Sequence, residues 1–551
     1  MNRLRLIAFI PLAFLLLFFC YPLAQITRES FIVSDISRGQ GLFAIFADSS
    51  YLGIIAFSIG QAALSTALTL LVGLPAAYLF ARYRFPLKGL WMALATVPFI
   101  MPTIVVAAAF NALLGPRGLL NEGLRTAFNL QTPPLQIMGT LGIILLAHLF
   151  YNFSVVLRLV GSFWAALDDR LELVAASLGA DKWQTFWRIT LPIAWPAIGA
   201  AAALTFLFTF TSFGVILLLG GARFATLETE IYRQTSQSLR LDIAASLAFV
   251  QLLITLVLGS VSSRLQSRAT VALDLQTQTA AARPFNTPDT TGQRVLLFGL
   301  LAFIVVIIAS PLLALALRSI DPSDPLRFYA ALSQNPRGSA FFVPPLIAMR
   351  NSVGFAGLTA LLALLMGLPL AYILSQKPTR FTRLLDVLLL LPLGTSAVTL
   401  GLGMFIAFDS PIDLRTSPLL LPLAHTLIAL PFVVRTLLPA ARAIGPALRE
   451  AAAQLGATPL QVLRHIDVPL LSGPLIAAAV FAFATSLGEF GASLLIARPE
   501  YPTMPLVISD LLGRPGATNY GQAMAMSTLL MAVTLASVLV IEKLGRKEIK
   551  R

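Results

Sequence analysis

The sequence predicts an all-α polytopic membrane protein with about twelve transmembrane helices in two tandem six-helix domains. Hydrophobic residues form 57% of the 551-residue chain and charged residues only 12%. The mean hydropathy of +0.84 lies outside the usual range of soluble domains. Many apolar segments reach the roughly 20 residues that a helix needs to cross the hydrocarbon layer. One polar element also occurs twice, which indicates duplication.

The twelve predicted spans follow one another along the whole chain. They cover approximately residues 6–27, 55–81, 90–114, 138–165, 199–219, 244–263, 295–317, 351–375, 384–408, 420–441, 475–497 and 521–541. The first span resembles a signal peptide, and Cys20 resembles the start of a lipoprotein anchor. Leu17, Phe18 and Phe19 before it lack the small residue of such a cleavage site. We therefore expect a membrane helix there.

Lysine and arginine predict the orientation of these spans. Basic residues concentrate in the turns 82–88 and 377–383 and in the tail 543–551. The positive-inside rule places such segments in the cytoplasm, so we expect both termini there. The net charge of +14 is scattered over helix ends and forms no dense basic block. Membrane topology explains this charge better than nucleic-acid binding, which we do not expect.

The repeated element occupies residues 172–192 and 449–469, at an offset of 277 residues. The identical pairs are Ala175/Ala452, Ala176/Ala453, Leu178/Leu455, Gly179/Gly456, Ala180/Ala457, Gln184/Gln461, Ile189/Ile466 and Pro192/Pro469. Glycine permits a left-handed turn, and proline interrupts a helix before the next span. The pattern predicts short helices around a tight bend, suited to docking into a partner. The alternative is a simple connector.

The two halves define the domain boundaries. Residues 73–78 match residues 367–372 at an offset of 294. We predict a first domain at 1–263 with a core at about 55–263, and a second at 295–551 with a core at about 350–541. The segment 264–294 is rich in Gln, Thr, Ala and Pro and predicts a flexible cytoplasmic linker without helix. Six spans per half give both halves the same orientation.

The element resembles the cytoplasmic Glu-Ala-Ala loop of permease subunits of binding-protein-dependent ABC importers. Glu450, Ala451, Ala452 and Gly456 follow that pattern, whereas the first copy has Leu173 in place of Glu450. Residues 486–491 and 209–214 extend the likeness to both halves. The chain is thus similar to a fused permease of the ferric iron and thiamine importer group, with two type I importer domains.

This resemblance implies a conduit in the plasma (inner) membrane for a small cationic solute, ferric iron or thiamine. It implies an ABC ATPase dimer on the cytoplasmic side and a solute-binding protein outside. The implied coupling residues are Glu172, Ala175, Ala176, Gly179 and Pro192 in loop 1 and Glu450, Ala451, Ala452, Gly456 and Pro469 in loop 2. The sequence has no Gly-Lys dipeptide and hence no P-loop. We expect the partner to use the ATP, and this chain to be no enzyme and to bind no cofactor.

Glu489 is a carboxylate within an apolar segment, and Ser212 is its repeat partner. Glu489 either lines or gates the solute pathway or caps a broken helix. The repeated His148 and His425 favour hydrogen bonds to neighbouring helices over contact with solute. Three histidines and one cysteine predict no metal or catalytic site. The alternative function is an ion-gradient-driven secondary transporter, which also shows a six-plus-six repeat.

Overall fold

The computed structural model describes residues 2–31, 42–167, 170–221, 223–277, 287–288, 290–334, 344–376, 379–410, 413–444 and 446–549. Helices dominate these residues, which confirms the predicted all-α class. Helices are the expected solution for a polytopic chain of this composition, because a helix satisfies its backbone N–H and C=O groups without water.

The helices of the first half are α1 (Asn2–Leu15), α2 (Tyr21–Phe31), α3 (Leu42–Ala47), α4 (Ser49–Arg82), α5 (Lys88–Ile100), α6 (Thr103–Leu114), α7 (Leu119–Phe128), α8 (Leu141–Ala165), α9 (Arg170–Ser177), α10 (Lys182–Thr185), α11 (Leu191–Phe210), α12 (Leu227–Ser236) and α13 (Leu241–Thr277). Three π-helical turns accompany them, at Leu16–Cys20, Phe186–Thr190 and Ile216–Gly220.

The helices of the second half are α14 (Thr291–Phe303), α15 (Ser310–Arg318), α16 (Arg327–Ala330), α17 (Pro345–Leu374), α18 (Arg380–Gly394), α19 (Ala397–Ala407), α20 (Leu420–Ala443), α21 (Pro446–Gln454), α22 (Pro459–Val462), α23 (Val468–Leu470), α24 (Ser472–Gly488), α25 (Gly491–Ile496), α26 (Met504–Gly513) and α27 (Ala517–Ile549). The π-helical turns here are Ile304–Ala309 and Leu463–Asp467, and Ala331–Ser333 is a 3-10 turn.

Among the described residues, ten helices are long and apolar enough to cross a membrane, or eleven when one bent pair counts as a single span. The predicted number was about twelve. The segments 90–114 and 384–408 are not continuous helices, because each breaks near its middle into α5 and α6 or α18 and α19. Pro98 and Pro392 lie just before these breaks, where each lacks a backbone N–H for the helix.

The predicted linker is wrong in its first part. Helix α13 continues through residues 264–277, and α14 already begins at Thr291. Leu, Ala, Arg and Gln in this stretch are good helix formers that extend the preceding span without a break. Residues 278–286 and 289 of the predicted linker lie outside the described residues.

The first helices of each half pack against the opposite half. Phe14 and Phe19 near the N-terminus share a buried core with Leu430 of the second half. In return, Ile304 and Leu315 join the buried core of the first half. The exchange interlocks the two repeats, so the boundary at 263 in sequence is no boundary in space. Burial of these apolar side chains favours assembly of the halves as one unit.

Candidate functional site

The first copy of the repeated element ends α9 with a Schellman motif. Gly179 has a φ of +87°, in the left-handed region that favours glycine. The Gly179 N–H donates to the Ala176 carbonyl at 3.0 Å, and the Ala180 N–H donates to the Ala175 carbonyl at 3.0 Å. These bonds satisfy carbonyls at the end of the helix and turn the chain sharply. The predicted left-handed bend is therefore present in loop 1.

The second copy has the same Schellman motif, with the same two backbone hydrogen bonds. Gly456 has a φ of +84°. Its N–H donates to the Ala453 carbonyl, and the Ala457 N–H donates to the Ala452 carbonyl, both at 3.0 Å. The small side chains of the repeat thus mark the last turn of a helix and its glycine cap. Their role in coupling stays a prediction.

A capping box follows each glycine and accounts for the repeated glutamine. In loop 1 the Gln184 N–H donates to Asp181 Oδ1 at 2.7 Å. In loop 2 the Thr458 N–H donates to Gln461 Oε1 at 2.7 Å, and the Gln461 N–H donates to Thr458 Oγ1 at 3.4 Å. Sequence analysis missed this motif, although an Asp or Thr three residues before Gln is its signature.

A largely buried ion pair fastens loop 1 to its domain, and another joins the two ends of loop 2. In the first half, Arg82 at the end of α4 donates to Glu172 Oε1, which also accepts from Thr190 Oγ1 at 2.9 Å. In the second half, Arg449 Nε donates to Asp467 Oδ1 at 2.9 Å. The first pair joins α9 to the end of α4, and the second joins α21 to the end of the π-helical turn Leu463–Asp467.

The charges of these two pairs are exchanged between the copies. Arg449 occupies the repeat position of Glu172, and Asp467 occupies that of Thr190, both at the offset of 277. At the offset of 294, Gln376 replaces Arg82. A guanidinium nevertheless lies near an equivalent tyrosine in each half, 5.6 Å from the ring centre of Tyr78 and 5.0 Å from that of Tyr372. Both copies thus keep an ion pair at the first loop helix, but α9 supplies the carboxylate in loop 1 and α21 supplies the guanidinium in loop 2.

The structure separates the two predicted loop glutamates. Glu172 is part of the anchor, whereas Glu450 is exposed on α21. Leu173, which occupies the repeat position of Glu450, is likewise exposed, on α9. The two glutamates are therefore not equivalent.

Pro192 and Pro469, which were each predicted to interrupt a helix before the next span, also differ from each other. Pro192 lies within the continuous helix Trp183–Phe210, whereas the second copy bends by 59° after Leu470, next to Pro469.

The outward surface of both loops carries exposed apolar side chains. Leu178 and Leu455, a repeat pair beside the glycines, are 83% and 89% exposed. Trp183 in loop 1 is 70% exposed. The six spans that the sequence predicts between the loops would place both loops on the same side of the membrane, and this orientation stays a prediction. Exposed apolar side chains at such a fixed bend are typical of a protein-binding surface.

A cavity of about 400 Å³ lies between the two halves. It is lined by both predicted pathway residues, Ser212 and Glu489, and by Glu228, which sequence analysis missed. Phe213 and its repeat partner Phe490 close one wall, with stacked rings 5.9 Å apart. No lysine or arginine occurs among the described residues that line the cavity. The cavity is therefore suited to an uncharged or positively charged guest.

Glu489 caps a broken helix, as one of the two predicted readings requires. Its Oε1 accepts from the Ala492 N–H and its Oε2 from the Ser493 N–H, both at 3.0 Å, at the start of α25. His425 Nε2 lies 3.3 Å from Glu489 Oε2. These contacts satisfy helix N–H groups that would otherwise lack acceptors. Glu489 also lies in the cavity wall, so a role in lining or gating the solute pathway stays a prediction.

The two repeated histidines form the expected hydrogen bonds between helices. His148 lies between Ser65 and Ser212, 2.9 Å from each hydroxyl. His425 contacts the Ser486 hydroxyl at 2.7 Å. His148 contacts Ser212 after α11, and His425 contacts the repeat partner Glu489 after α24, so each histidine contacts the equivalent segment of its own half. The histidines thus brace the cavity wall rather than stand free in it.

Glu228 is buried on α12 and joins the halves. Its Oε2 accepts from Ser396 Oγ of the second half at 2.6 Å, and Gln251 donates to Oε1. Ser396 also caps α19 through the N–H groups of Val398 and Thr399, at 3.1 and 3.2 Å. The sequence analysis predicted no membrane span over α12. The buried position of the Glu228 carboxylate is therefore seen only in the folded structure.

Removing the Glu489 carboxylate is expected to destabilise the second half. Glu489→Ala deletes the acceptor of two helix N–H groups, which we expect to lower the free energy of unfolding by about 1–2 kcal/mol. Glu489→Gln keeps one acceptor oxygen and should lose less. Thermal unfolding of the detergent-solubilised protein measures both, with Glu500→Ala, the loss of an exposed carboxylate, as the control. Equal unfolding midpoints for wild type and Glu489→Ala would contradict the capping role.

In the described part of the chain, no group of three or more His, Cys, Asp or Glu side chains is placed to hold a metal ion. The candidate site consists instead of two loops with the same glycine-capped bend and an aromatic, acidic cavity between the halves.

Comparisons with known proteins agree with this duplication. Residues 69–270 and 339–548 each match the family described as "Binding-protein-dependent transport system inner membrane component". The chain is 29% identical over 548 residues to the "Thiamine transport system permease protein ThiP" of Brucella abortus (strain 2308), covering 96% of this chain and 94% of the relative. It is 26% identical over 515 residues to the protein of the same description from Escherichia coli (strain K12), covering 92% and 91%.

A further relative is the "Probable ABC transporter permease protein y4fN" of Sinorhizobium fredii, which is 26% identical over 504 residues, covering 89% of this chain and 87% of the relative. The family model accounts for most of the chain in two tandem matches, and the relatives align over nearly their full length. The chain is a multi-pass membrane protein that belongs to the family of binding-protein-dependent transport system inner membrane components, with two fused copies of the family's domain.

Proposed function

We propose that this chain is the channel-forming subunit of an ATP-driven importer that moves thiamine from an extracytoplasmic binding protein into the cytoplasm. The observation that carries the proposal is the repeated loop, whose two copies share the same glycine-capped bend and expose the same leucine. The family membership favours this reading over the secondary transporter, which needs no duplicated docking element.

The two loops fit a partner that itself has two equivalent sites, such as an ABC ATPase dimer. Leu178 and Leu455 are exposed beside the rigid turns at Gly179 and Gly456. A buried leucine contributes roughly 1.5–3 kcal/mol to an interface, and a preformed bend avoids an ordering cost. The buried pair of Arg82 and Glu172 holds loop 1 to its domain, and in loop 2 Arg449, paired with Asp467, lies over the ring of Tyr372 on α17. Movement of the ATPase would thereby reach the membrane helices.

The names of the relatives favour thiamine over ferric iron as the solute. Thiamine is an organic cation, and the cavity between the halves carries Glu228 and Glu489 in its wall. Carboxylates in a lining that includes no lysine or arginine among its described residues favour a positively charged solute. The positive-inside distribution of the basic turns supports cytoplasmic loops and cytoplasmic termini.

Reconstitution tests this proposal directly. The chain is placed in proteoliposomes with its ATPase and binding protein, and uptake of labelled thiamine and of ferric ion is followed separately. We expect thiamine uptake that requires ATP, the ATPase and the binding protein together. Uptake of ferric ion in place of thiamine would overturn the solute assignment. Thiamine uptake driven by an ion gradient without ATPase would overturn the importer mechanism.

A further inference from the structure

The cavity between the halves departs from the two-fold symmetry of the duplicated chain. On the first half, α8 contributes Tyr151 and Asn152 to the lining. At the offset of 277, α20 of the second half carries Ile428 and Ala429 instead. Duplication alone would give two equal walls. At these two positions the first half is therefore polar and the second half is apolar.

The second half contributes a pair of aromatic side chains to the lining. Phe432 and Phe481 of the second half line the cavity with ring centres 5.1 Å apart. The first half has Val155 and Leu204 at the equivalent positions. Phe99 and Phe208 of the first half also line the cavity, with ring centres 5.8 Å apart, so both halves supply aromatic rings while only the first supplies Tyr151 and Asn152. Aromatic rings attract both flat apolar surfaces and cations through their negative faces.

The Tyr151 hydroxyl is a polar group prepared for a partner. Its oxygen is buried and has no hydrogen-bond partner among the described residues. Leaving a buried hydroxyl unpaired costs on the order of 1–3 kcal/mol, so such groups are rare in folded proteins unless they serve a ligand or water. Since Tyr151 lines the cavity, a guest there is able to supply the missing hydrogen bond.

Charge in the wall selects the sign of the guest. Glu228 is fully buried, and the Glu489 side chain is only 7% exposed. Both belong to the lining, which includes no lysine or arginine among its described residues. In a low-dielectric cavity a positive guest is favoured and an anion is strongly disfavoured.

From these observations we propose that the cavity is a solute-binding site of the permease itself, specific for a positively charged heteroaromatic compound. The ring of the guest lies against Phe432 and Phe481, and its polar edge bonds to the Tyr151 hydroxyl. Glu228 and Glu489 balance its charge. The inference rests on the proposed importer function and deepens it, since it gives the membrane subunit a selectivity of its own beyond that of the binding protein.

Direct binding to the full chain tests the site. The protein is purified in lipid nanodiscs without ATPase or binding protein, and equilibrium dialysis measures binding of three probes. Thiamine is a heteroaromatic cation, thiochrome is a flat neutral compound, and choline is a cation without a ring. We expect saturable binding of thiamine, with affinities for thiochrome and choline at least tenfold lower.

Two variants locate the binding. Tyr151→Phe removes one oxygen and is expected to weaken thiamine binding about fivefold, the effect of one hydrogen bond. Tyr520→Phe is the matched control, because its hydroxyl is likewise buried and lacks a partner among the described residues, yet Tyr520 lies on α27 and does not line the cavity. Phe432→Leu keeps an apolar side chain and is expected to weaken thiamine binding more than thiochrome binding.

The outcomes separate this inference from the importer function. Absence of saturable thiamine binding, or equal thiamine affinity in Tyr151→Phe and Tyr520→Phe, overturns the site. If the complete reconstituted system still takes up thiamine in that case, the importer function stands and only the cavity site falls. Tight binding of thiochrome with no preference for thiamine overturns the assigned selectivity for cations. Loss of both binding and uptake of thiamine would remove the solute assignment as well.

Discussion

Aspartate in place of both Leu178 and Leu455 is expected to abolish ATP-dependent solute uptake and recruitment of the ATPase while the membrane domain remains folded. Both leucines are more than four-fifths exposed, so the substitutions remove no internal packing. In an interface, each change would lose roughly 1.5–3 kcal/mol of apolar burial and add a charge to desolvate. Together we expect at least a ~100-fold loss of affinity for the ATPase.

Pull-down of the ATPase and uptake by proteoliposomes measure this effect. The single changes Leu178→Asp and Leu455→Asp should each retain part of the binding, because the other loop remains intact. Leu326→Asp is the control, since Leu326 is 69% exposed and lies in the segment between the first two spans of the second half, away from both loops. Unchanged recruitment in the double variant, with normal folding, would disprove docking through these leucines.

Reversing one charge of the first loop anchor is expected to have the largest effect on stability. Glu172→Arg places a second guanidinium beside Arg82, whose side chain is only 5% exposed. Breaking a buried ion pair leaves an uncompensated charge and costs about 3–5 kcal/mol. We therefore expect a clearly lower midpoint of thermal unfolding and a loss of coupled transport, measured by unfolding in detergent and by uptake in proteoliposomes.

The second half shows how this variant should be rescued. It has arginine at the position of Glu172, aspartate at that of Thr190 and glutamine at that of Arg82. The triple variant Arg82→Gln, Glu172→Arg and Thr190→Asp transfers this arrangement into the first loop. We expect it to recover most of the lost stability and uptake. If the triple variant is no better than Glu172→Arg alone, the two anchors are not interchangeable and the structural equivalence is wrong.

The sequence was sufficient for the fold class and for the position of the loops. Apolar runs near 20 residues identify membrane helices because lipid requires them to be continuous and apolar. The repeat at a single offset identified Gly179 and Gly456, and glycine has few structural reasons to recur beside a helix end other than a left-handed turn. The same reasoning overcounted continuous spans, since hydropathy does not register the breaks after Pro98 and Pro392.

Contacts between distant positions were beyond sequence reasoning. Arg82 and Glu172 are 90 residues apart, and their counterpart in the second half uses different positions, so the repeat itself concealed the anchor. Glu228 lies in a polar stretch that resembles an exposed loop, yet its partner Ser396 comes from the other half. Neither pairing has a local pattern.

By itself, the sequence determined that this chain is a duplicated membrane protein with two glycine-capped loops, because hydropathy and short-range backbone geometry depend on neighbouring residues. Only the tertiary structure decided the exchange of first helices between the halves, the reversed ion pairs and the asymmetric lining of the cavity. These features arise where helices far apart in sequence meet, and side-chain packing across such interfaces depends on the three-dimensional arrangement of both halves.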